Sequence, residues 1–420
     1  MTKARIIADY AGTGATTDLA TQAELNAVST VASAALPKAG GTMTGDLVPA
    51  TPMSNRNMII NGGMQVWQRS TSAVASGTDY HTVDRFRFAL NGAMAYTSER
   101  HAMTLAELNT TGHGYAIKCL CTTADTSVAS DDYAYIQQDI EAQNLQHLQY
   151  GTASAKTITL SFWVKSNKTG TYTISIRKHD ATSYCIPIEY SISSADTWEK
   201  KTITITPTAG STSLITGAGG IIANDNGHGF RLKFGLHYGT DFHGTNNTWV
   251  ASGTVFGTSN QVNWVDSTSN NFYLTGIQLE LGSNATPFEH RSYGDELIRC
   301  QRYYQKIGSQ GSYSMSAIPI FHSVDGQAST TIFFHTTMRT QASVSLSGTA
   351  INTSGGSVAA NKWACYNNSG DWNGCSSITI HTPSEGSARV EATLNNSVGS
   401  GQCSGLYGGA GCAFIASAEL

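Results

Sequence analysis

Hydrophobic and polar residues alternate with a period of two through much of the chain. The clearest runs lie at 157–166, 170–177, 197–207, 229–239 and 272–282, with Gly or Asn between them. Such alternation turns one side of a strand toward a core and the other toward solvent. The pattern predicts an all-β fold made of many short, half-buried strands.

A second β region is predicted after residue 308. Its candidate strands lie at 314–324, 330–338, 342–351, 377–383, 388–395 and 412–420. The last of these runs to the C-terminal residue, so we expect the terminus to be tied into a sheet.

One stretch near the N-terminus has a helical rather than a β period. Within 18–36, Leu25 and Val28 begin an apolar stripe with spacings of three and four. An Ala-rich helix of this length is marginal on its own, so we expect it to form a short oligomeric coiled coil. A surface helix packed on a domain is the alternative.

The helix is followed by the Gly-rich segment LPKAGGTMTGDL, residues 36–47. Pro stops a helix, and Gly allows backbones to approach closely, as they must around a three-fold axis. The segment resembles the short motif of phage tail fibres and related trimeric spikes. The matching residues are Pro37, Gly40, Gly41, Met43, Gly45 and Leu47.

Three further segments resemble a tail-fibre β-sandwich module. They are NMIINGGMQVWQRSTSA at 57–73, YHTVDRFRF at 80–88 and ATPFEHRSYGDELIRCQRYYQK at 285–306. Phe86 stands where the family usually has Trp. The resemblance covers 36–47 and 57–306, and it implies a jelly-roll sandwich of the carbohydrate-binding type.

Together, the patterns and the resemblance predict five parts of the chain. These are a tail-attachment arm (1–17), a coiled coil with a trimer shoulder (18–56), a jelly-roll body (57–290), a helical connector (291–308) and a C-terminal β tip (309–420).

Composition and charge exclude several classes of function. The 420 residues carry a formal net charge of −4, and no Lys/Arg cluster occurs. A nucleic-acid partner is therefore not expected. No apolar run is long enough for a transmembrane helix, and the first residues lack the apolar region of a signal peptide.

The eight cysteines do not form a metal-binding pattern. Without a signal peptide, free thiols are favoured over disulfides. The exception we keep open is the C-terminal group Cys365, Cys375, Cys403 and Cys412.

Sugar recognition is the binding chemistry that the loops favour. Aromatic rings among Asn, Asp and Gly suit stacking on a sugar ring with flanking hydrogen bonds. The candidate residues are Trp249, Trp264, Trp363, Tyr366, Trp372 and Tyr407. A core or inter-chain role is the alternative for each Trp.

The sequence favours neither a catalytic site nor a metal site. A glycan hydrolase needs two opposed carboxylates, whereas the cluster Asp131, Asp132, Asp139 and Glu141 is interpreted as solvated charge. The histidines His228, His237 and His243 lack the spacing of a metal site. Asn224, Asp225 and Asn226 could contribute to a calcium site, but a plain Asn-Gly turn is favoured. No cofactor is expected.

The resemblance implies a homotrimeric phage tail fibre that binds without turnover. Its arm would dock on a tail or adaptor protein, and its tip on a host glycan or outer-membrane receptor. Such a protein would be made in the host cytoplasm and would act in the virion tail. The alternatives are a structural tail or capsid decoration protein, a depolymerase tailspike and, last, a secreted lectin.

Overall fold

A computed structural model describes residue 26 and residues 54–75, 77–308, 318–324, 326–350, 362–366, 372–381, 383–395, 403–409 and 412–420. Contacts divide the chain into two units, Met1–Ala50 and Thr51–Leu420. The predicted arm over 1–17, the coiled coil with Leu25 and Val28, and the shoulder from Pro37 to Leu47 lie outside the described residues.

The second unit begins with a β-sandwich, where the alternating pattern is strongest. Its strands are β1 (Ser72–Ala75), β2 (Thr78–Asp79), β3 (Arg87–Asn91), β4 (Ala95–Ala102), β5 (Tyr115–Thr123), β6 (Tyr133–Glu141), β7 (Ile158–Ser166), β8 (Gly170–Lys178), β9 (Tyr184–Ile192), β10 (Glu199–Ile205), β11 (His228–Tyr238) and β12 (Asn271–Leu281).

These strands form two antiparallel sheets. The first sheet has the order β1-β4-β5-β12-β7-β10, and the second has the order β2-β3-β6-β11-β8-β9. From β6 to β12 the chain passes repeatedly between the sheets, as a jelly roll requires. The core lies between them, where the rings of Phe162 and Phe234 meet with centroids 5.2 Å apart. The predicted all-β sandwich is confirmed.

The C-terminal region adds two further sheets. Its strands are β13 (Tyr304–Gly308), β14 (Ile318–Val324), β15 (Gln327–Phe333), β16 (Ser343–Ser347), β17 (Thr349–Ala350), β18 (Lys362–Tyr366), β19 (Trp372–His381), β20 (Ser387–Leu394), β21 (Cys403–Gly408) and β22 (Ala413–Ser417). One sheet has the order β13-β22-β16, and the other β17-β18-β19-β20-β15-β14-β21. Strand β22 lies between two others, so the C-terminus is tied into a sheet as expected.

Among the described residues, two α-helices interrupt the strands. Helix α1 (Leu105–Thr111) begins at a capping box formed by Thr104 and Glu107. Helix α2 (Tyr293–Gln301) begins at Ser292, whose side chain accepts from the Asp295 amide. Short 3-10 turns span Ala142–Leu148, Ala209–Ser211, Ala218–Gly220, Thr240–Phe242 and Trp264–Asp266. No described helix has both the length and the apolar character needed to cross a membrane.

The predicted helical connector over 291–308 is helical only in its first half. After α2 the chain turns and enters β13, where Tyr304 lies opposite Ser417 of β22. The alternation from Tyr304 to Gly308 supplies one more strand to the C-terminal sheet. This segment therefore joins the body to the C-terminal region through strand pairing rather than through a free helix.

A buried ion-pair cluster fastens the C-terminus to the sandwich. Arg69 donates to Asp84 at 2.9 Å and to Glu419 at 2.8 Å. Arg85, which is 1% exposed, also donates to Glu419, and its guanidinium lies 3.4 Å from the ring centroid of Tyr303. The segments that resemble the tail-fibre module thus meet at one place, and Glu419 from outside the resemblance completes it.

Other residues of the same segments continue this cluster. Arg302 donates to Glu141 through two nitrogens, each at 2.8 Å, and Tyr303 donates its hydroxyl to the same carboxylate. The backbone amide of Asn61 donates to Glu296 at 2.5 Å. These side chains therefore hold segments together, and their role in the structure is one of assembly rather than ligand contact.

Candidate functional site

Three of the predicted sugar-binding tryptophans belong to the core. Trp249, Trp264 and Trp363 are at most 1% exposed. Their indole N–H groups donate to the backbone carbonyls of Thr206, Asn271 and Ser347, respectively, at 2.8 to 3.0 Å. With no ring face at the surface, these three cannot stack on a sugar in this structure. The loops that carry them fold inward because each indole buries a large apolar area and still satisfies its donor.

The other three predicted aromatics lie on strands rather than in a distal loop. Tyr366 of β18 lies opposite Trp372 of β19, and the side chains of both lie outside the described residues. Tyr407 is half-buried on β21, opposite Ala364 of β18. The structure therefore brings Tyr366 and Trp372 together by backbone pairing, and their role in binding stays a prediction.

Residues 224–226, considered above as part of a calcium site, form a backbone turn. Asp225 accepts from the Gly227 amide at 2.8 Å, and the Asn226 amide group donates to the Arg339 carbonyl at 2.7 Å. Asn224 is exposed. Among the described residues, no group of acidic, histidine and cysteine side chains has the geometry of a metal site.

The carboxylates Asp139 and Glu141 are not solvated, contrary to the expectation from sequence. Both are at most 1% exposed. Asp139 accepts from Arg231 at 2.8 Å and from Gln137 at 2.9 Å. Burial raises the pKa of Asp139, but His228 and Arg231 outweigh it and bring the pKa to about 2. A carboxylate held ionised in this way suits an ion pair better than a general acid.

The surface best suited to a ligand is a groove on the larger C-terminal sheet. Phe321 of β14 is 61% exposed and Phe333 of β15 is 73% exposed. The groove between them measures about 580 Å³ and is also lined by Ser329, Thr331 and Arg389. Two exposed rings thus flank hydroxyl groups and a guanidinium on a rigid sheet. We call this surface the Phe321/Phe333 groove.

Strand periodicity explains why these rings point outward. In β14 and β15, Ile320 and Ile332 are buried in the core of the C-terminal region. The neighbouring Phe321 and Phe333 must then lie on the opposite face, since successive side chains alternate. Sequence reasoning missed them because it looked for ligand contacts in loops. The available signal was an aromatic residue at a position that the alternation assigns to the polar face.

Arg389 gives the groove a charged edge. It lies on β20 opposite Thr331, and it donates to Glu391 on its own strand at 3.0 Å. About half of its side chain is exposed. An exposed ion pair of this kind adds little stability, so its guanidinium can exchange a carboxylate contact for a ligand contact at small cost.

Sequence comparison with known proteins found no match. No family model and no curated protein matches this chain. Among solved structures, it is similar to the enzymatically active domain of tailspike protein 4 from bacteriophage CBA120, with 11% identity and a TM-score of 0.26. That match covers 54% of this chain and 21% of the tailspike domain, so the chain spans about a fifth of that domain's length.

Two carbohydrate-binding modules are similar at the same level. A family 11 module from Clostridium thermocellum matches at 14% identity over 52% of this chain and 100% of its own, with a TM-score of 0.25. A xylan-binding domain from Paenibacillus barcinonensis matches at 9% identity over 47% and 87%, with a TM-score of 0.23. Scores this low support no conclusion about function, which must come from the geometry.

Proposed function

We propose that this chain is a phage tail fibre or a related tail appendage, that it works as a homotrimer, and that it binds a glycan on the host surface without cleaving it. The observation that carries the proposal is the Phe321/Phe333 groove. It lies within residues 309–420, which the sequence predicts to be the C-terminal tip, outside the part of the chain that resembles tail fibres. The homotrimer, the tail adaptor and the virion location rest on the sequence motifs alone.

The groove has the two kinds of group that sugar recognition needs. A ring of Phe321 or Phe333 offers a flat apolar face to the C–H face of a pyranose. The hydroxyl groups of Ser329 and Thr331 and the guanidinium of Arg389 can hydrogen-bond sugar hydroxyls from between the rings. Because all five residues stand on paired strands, little backbone entropy is lost on binding.

Weak contacts are sufficient if three copies of the tip act together. A single open groove with two rings suits modest affinity, since most of a bound sugar stays in water. In a homotrimer the second and third contacts become intramolecular, which raises the overall affinity by about 10²–10⁴ when the geometry permits simultaneous binding. This suits attachment to a surface that displays many copies of one glycan.

Binding without turnover fits the electrostatics of the described residues. The two buried carboxylates of β6, Asp139 and Glu141, are each held by an arginine. Beside the groove, Glu391 accepts from Arg389. A depolymerase would need a second carboxylate facing Glu391 across the bound sugar. An assay of glycan chain length distinguishes cleavage from binding alone.

The test is a glycan-array screen of the full chain and of a Phe321→Ala/Phe333→Ala double variant. Both rings are exposed, so their removal should leave the fold intact, and binding should fall by about tenfold or more. The matched control is Leu105→Ala on α1, which removes an apolar side chain that is 72% exposed. If the double variant binds the same glycans as strongly as the parent, the groove is not the site.

A further inference from the structure

The outward face of the second sandwich sheet carries a row of polar and charged side chains. Arg87 of β3 lies opposite Gln137 of β6, Gln137 opposite Lys233 of β11, and Lys233 opposite Ser175 of β8. Their strand neighbours, such as Phe88 and Phe234, are in the core between the sheets. By alternation the row faces away from the core. The segment after β11 packs over its middle through Phe256, so that Gln137 and Lys233 are only 1% and 2% exposed. We call this surface the second-sheet face.

A second row on the same face adds two more arginines. Asp139 of β6 lies opposite Arg231 of β11, which lies opposite Arg177 of β8. The face therefore carries Arg87, Arg177, Arg231 and Lys233. Its acids are Asp139, which Arg231 already holds at 2.8 Å, Glu141, which Arg302 holds at 2.8 Å, and Glu189 at the β9 margin, which accepts from Asn260 at 3.0 Å. The positive charge exceeds the negative charge.

Lys233 is the residue of this set whose charge is energetically most unfavourable to bury. It is 2% exposed, and its Nζ lies 3.2 Å from the ring centroid of Phe256 and 4.1 Å from that of Tyr135. Among the described residues, no carboxylate lies within ion-pair distance of it. Burial lowers the pKa of Lys233 well below its usual value, and repulsion from Arg231 lowers it further. An anion at this point would relieve both effects.

Unpartnered polar atoms are concentrated beside Lys233. Within the described residues, Nε of Arg87, Nε of Arg177 and Oε1 of Gln137 are buried without a hydrogen-bond partner. Gln137 is 1% exposed, and its Nε2 donates to Asp139 at 2.9 Å. Buried polar groups without partners are uncommon in proteins and call for an explanation. Two arginine donors and one amide acceptor on one face are suited to an oxyanion that also carries hydroxyl groups.

We propose that the second-sheet face is a separate binding site for an acidic saccharide, one whose sugar ring carries a carboxylate, sulfate or phosphate group. The arginines Arg87 and Arg177 flank the Lys233 position and receive the oxyanion. Gln137 accepts from a sugar hydroxyl.

An aromatic pair on the same face favours a saccharide over a bare ion. Tyr133 and Tyr135 of β6 stack with centroids 5.2 Å apart, and Tyr133 is half-buried, so part of its ring meets solvent. A tyrosine can stack on a sugar ring and hydrogen-bond it through its hydroxyl. The cationic side chains alone would bind any anion. The ring of Tyr133 and the side-chain amide of Gln137 can also contact the uncharged part of a sugar.

The site is tested by calorimetric titration of the full chain with matched acidic and neutral sugars. The pairs are oligogalacturonate with its methyl ester, a sulfated oligosaccharide with its desulfated form, and a sugar phosphate with the free sugar. We expect at least one acidic member to bind about tenfold or more tightly than its neutral partner, with an affinity that falls as salt rises. Inorganic phosphate, titrated as a competitor, should displace it only weakly.

Arginine substitutions test whether the preference for the acidic sugar arises at the second-sheet face. Arg87 forms no hydrogen bond or ion pair with any described residue, so Arg87→Met should fold normally and lose the preference for the acidic member. Arg87→Lys should keep part of it. The control Arg100→Met removes an exposed arginine from β4 of the first sheet and should change nothing.

The outcomes separate this site from the Phe321/Phe333 groove. If no acidic sugar is preferred over its neutral partner, or if Arg87→Met leaves the preference unchanged, the inference is overturned while groove binding stands. If inorganic phosphate binds as tightly as the acidic sugar, the face is a free-anion site and not a saccharide site. Loss of acidic-sugar binding in the Phe321/Phe333 double variant would assign that binding to the groove and also overturn the inference.

Discussion

Replacing Lys233 by methionine should make the protein more stable, which is the reverse of the usual result for a core substitution. Methionine has a similar volume, so the packing against Tyr135 and Phe256 is retained. The change removes an ammonium group that is 2% exposed and has no carboxylate within ion-pair distance among the described residues. The protein then no longer bears the cost of burying that group.

The size of the effect follows from two opposing contributions. Relief of the desolvation penalty contributes about 3 kcal/mol, within the several kcal/mol found for a buried ion. Loss of the cation–π contacts with Phe256 and Tyr135 costs about 1 kcal/mol. The net gain of about 2 kcal/mol corresponds to a rise in Tm of about 4–8 °C.

The pH dependence supplies a sharper test of the same reasoning. The pKa of Lys233 is lower in the folded protein than in the unfolded chain. The folded state therefore releases a proton that the unfolded state keeps, and the stability of the parent rises with pH until the unfolded lysine titrates near pH 10.4. The advantage of Lys233→Met should accordingly be large near pH 7 and should shrink toward about pH 10.

Urea unfolding at those two pH values, with thermal melting as a second readout, measures this difference. Gln65→Met serves as a control for the addition of a methionine at a partly buried site. A Lys233→Met protein that is less stable than the parent, or whose advantage is the same at both pH values, would refute the view that Lys233 is an unsatisfied buried ammonium.

Four other predictions follow from the structure and the sequence. Burial lowers the pKa of His113 to about 4, so acidification from about pH 7 to 4 should cost about 3 kcal/mol of stability through this residue; His113→Gln should lack that part of the slope in urea melts. Glu419→Gln should lower the free energy of unfolding by about 3–5 kcal/mol, because it leaves the buried Arg85 without a carboxylate partner; a loss below about 1 kcal/mol would contradict this. The buried thiols of Cys365 and Cys375, with sulfur atoms 3.5 Å apart, should form a disulfide with oxidised glutathione, seen in the peptide map and absent from Cys365→Ser. Light scattering should give three chains per particle for the full protein and fewer after deletion of residues 1–56; a full-length monomer would remove the basis for the trimer.

The sequence predicted the strands of the sandwich closely because local alternation carries the needed information. The runs at 170–177 and 272–282 correspond to β8 and β12 within one residue at each end. Burial on one face imposes a period of two whatever the partner strand is. The sequence places Tyr304–Gly308 in a helical connector and not in a strand, because the partner strand β22 lies more than 100 residues away and leaves no local trace.

The candidate sites were harder to predict, since exposure depends on tertiary packing. Trp249 and Trp363 have polar sequence neighbours typical of a binding loop, yet both indoles find a carbonyl inside the core. Asp139 and Glu141 have the composition of a solvated segment, but they lie beneath Arg231 of β11 and Arg302 at the end of α2. Only a fold that brings these distant elements together reveals the ion pairs.

The alternation could have located one site. Phe333 follows the buried Ile332 in β15, so the strand pattern alone places it on the outer face. An aromatic ring in that position is a stronger indication of a binding surface than one in a loop of uncertain path. The row from Arg87 to Ser175, in contrast, needs the register of four strands, which local sequence does not specify.

The central claim, that this protein binds glycan without cleaving it, is tested most directly by following one bound glycan over time. A glycan retained by the full chain on the array would be incubated with the protein in solution, and its chain length would be measured by mass spectrometry alongside the bound fraction. The account predicts a stable bound fraction, no shortening, and loss of binding in the Phe321→Ala/Phe333→Ala variant. Progressive shortening of the glycan would show an enzyme, and a chain that retains no glycan would contradict the proposed function.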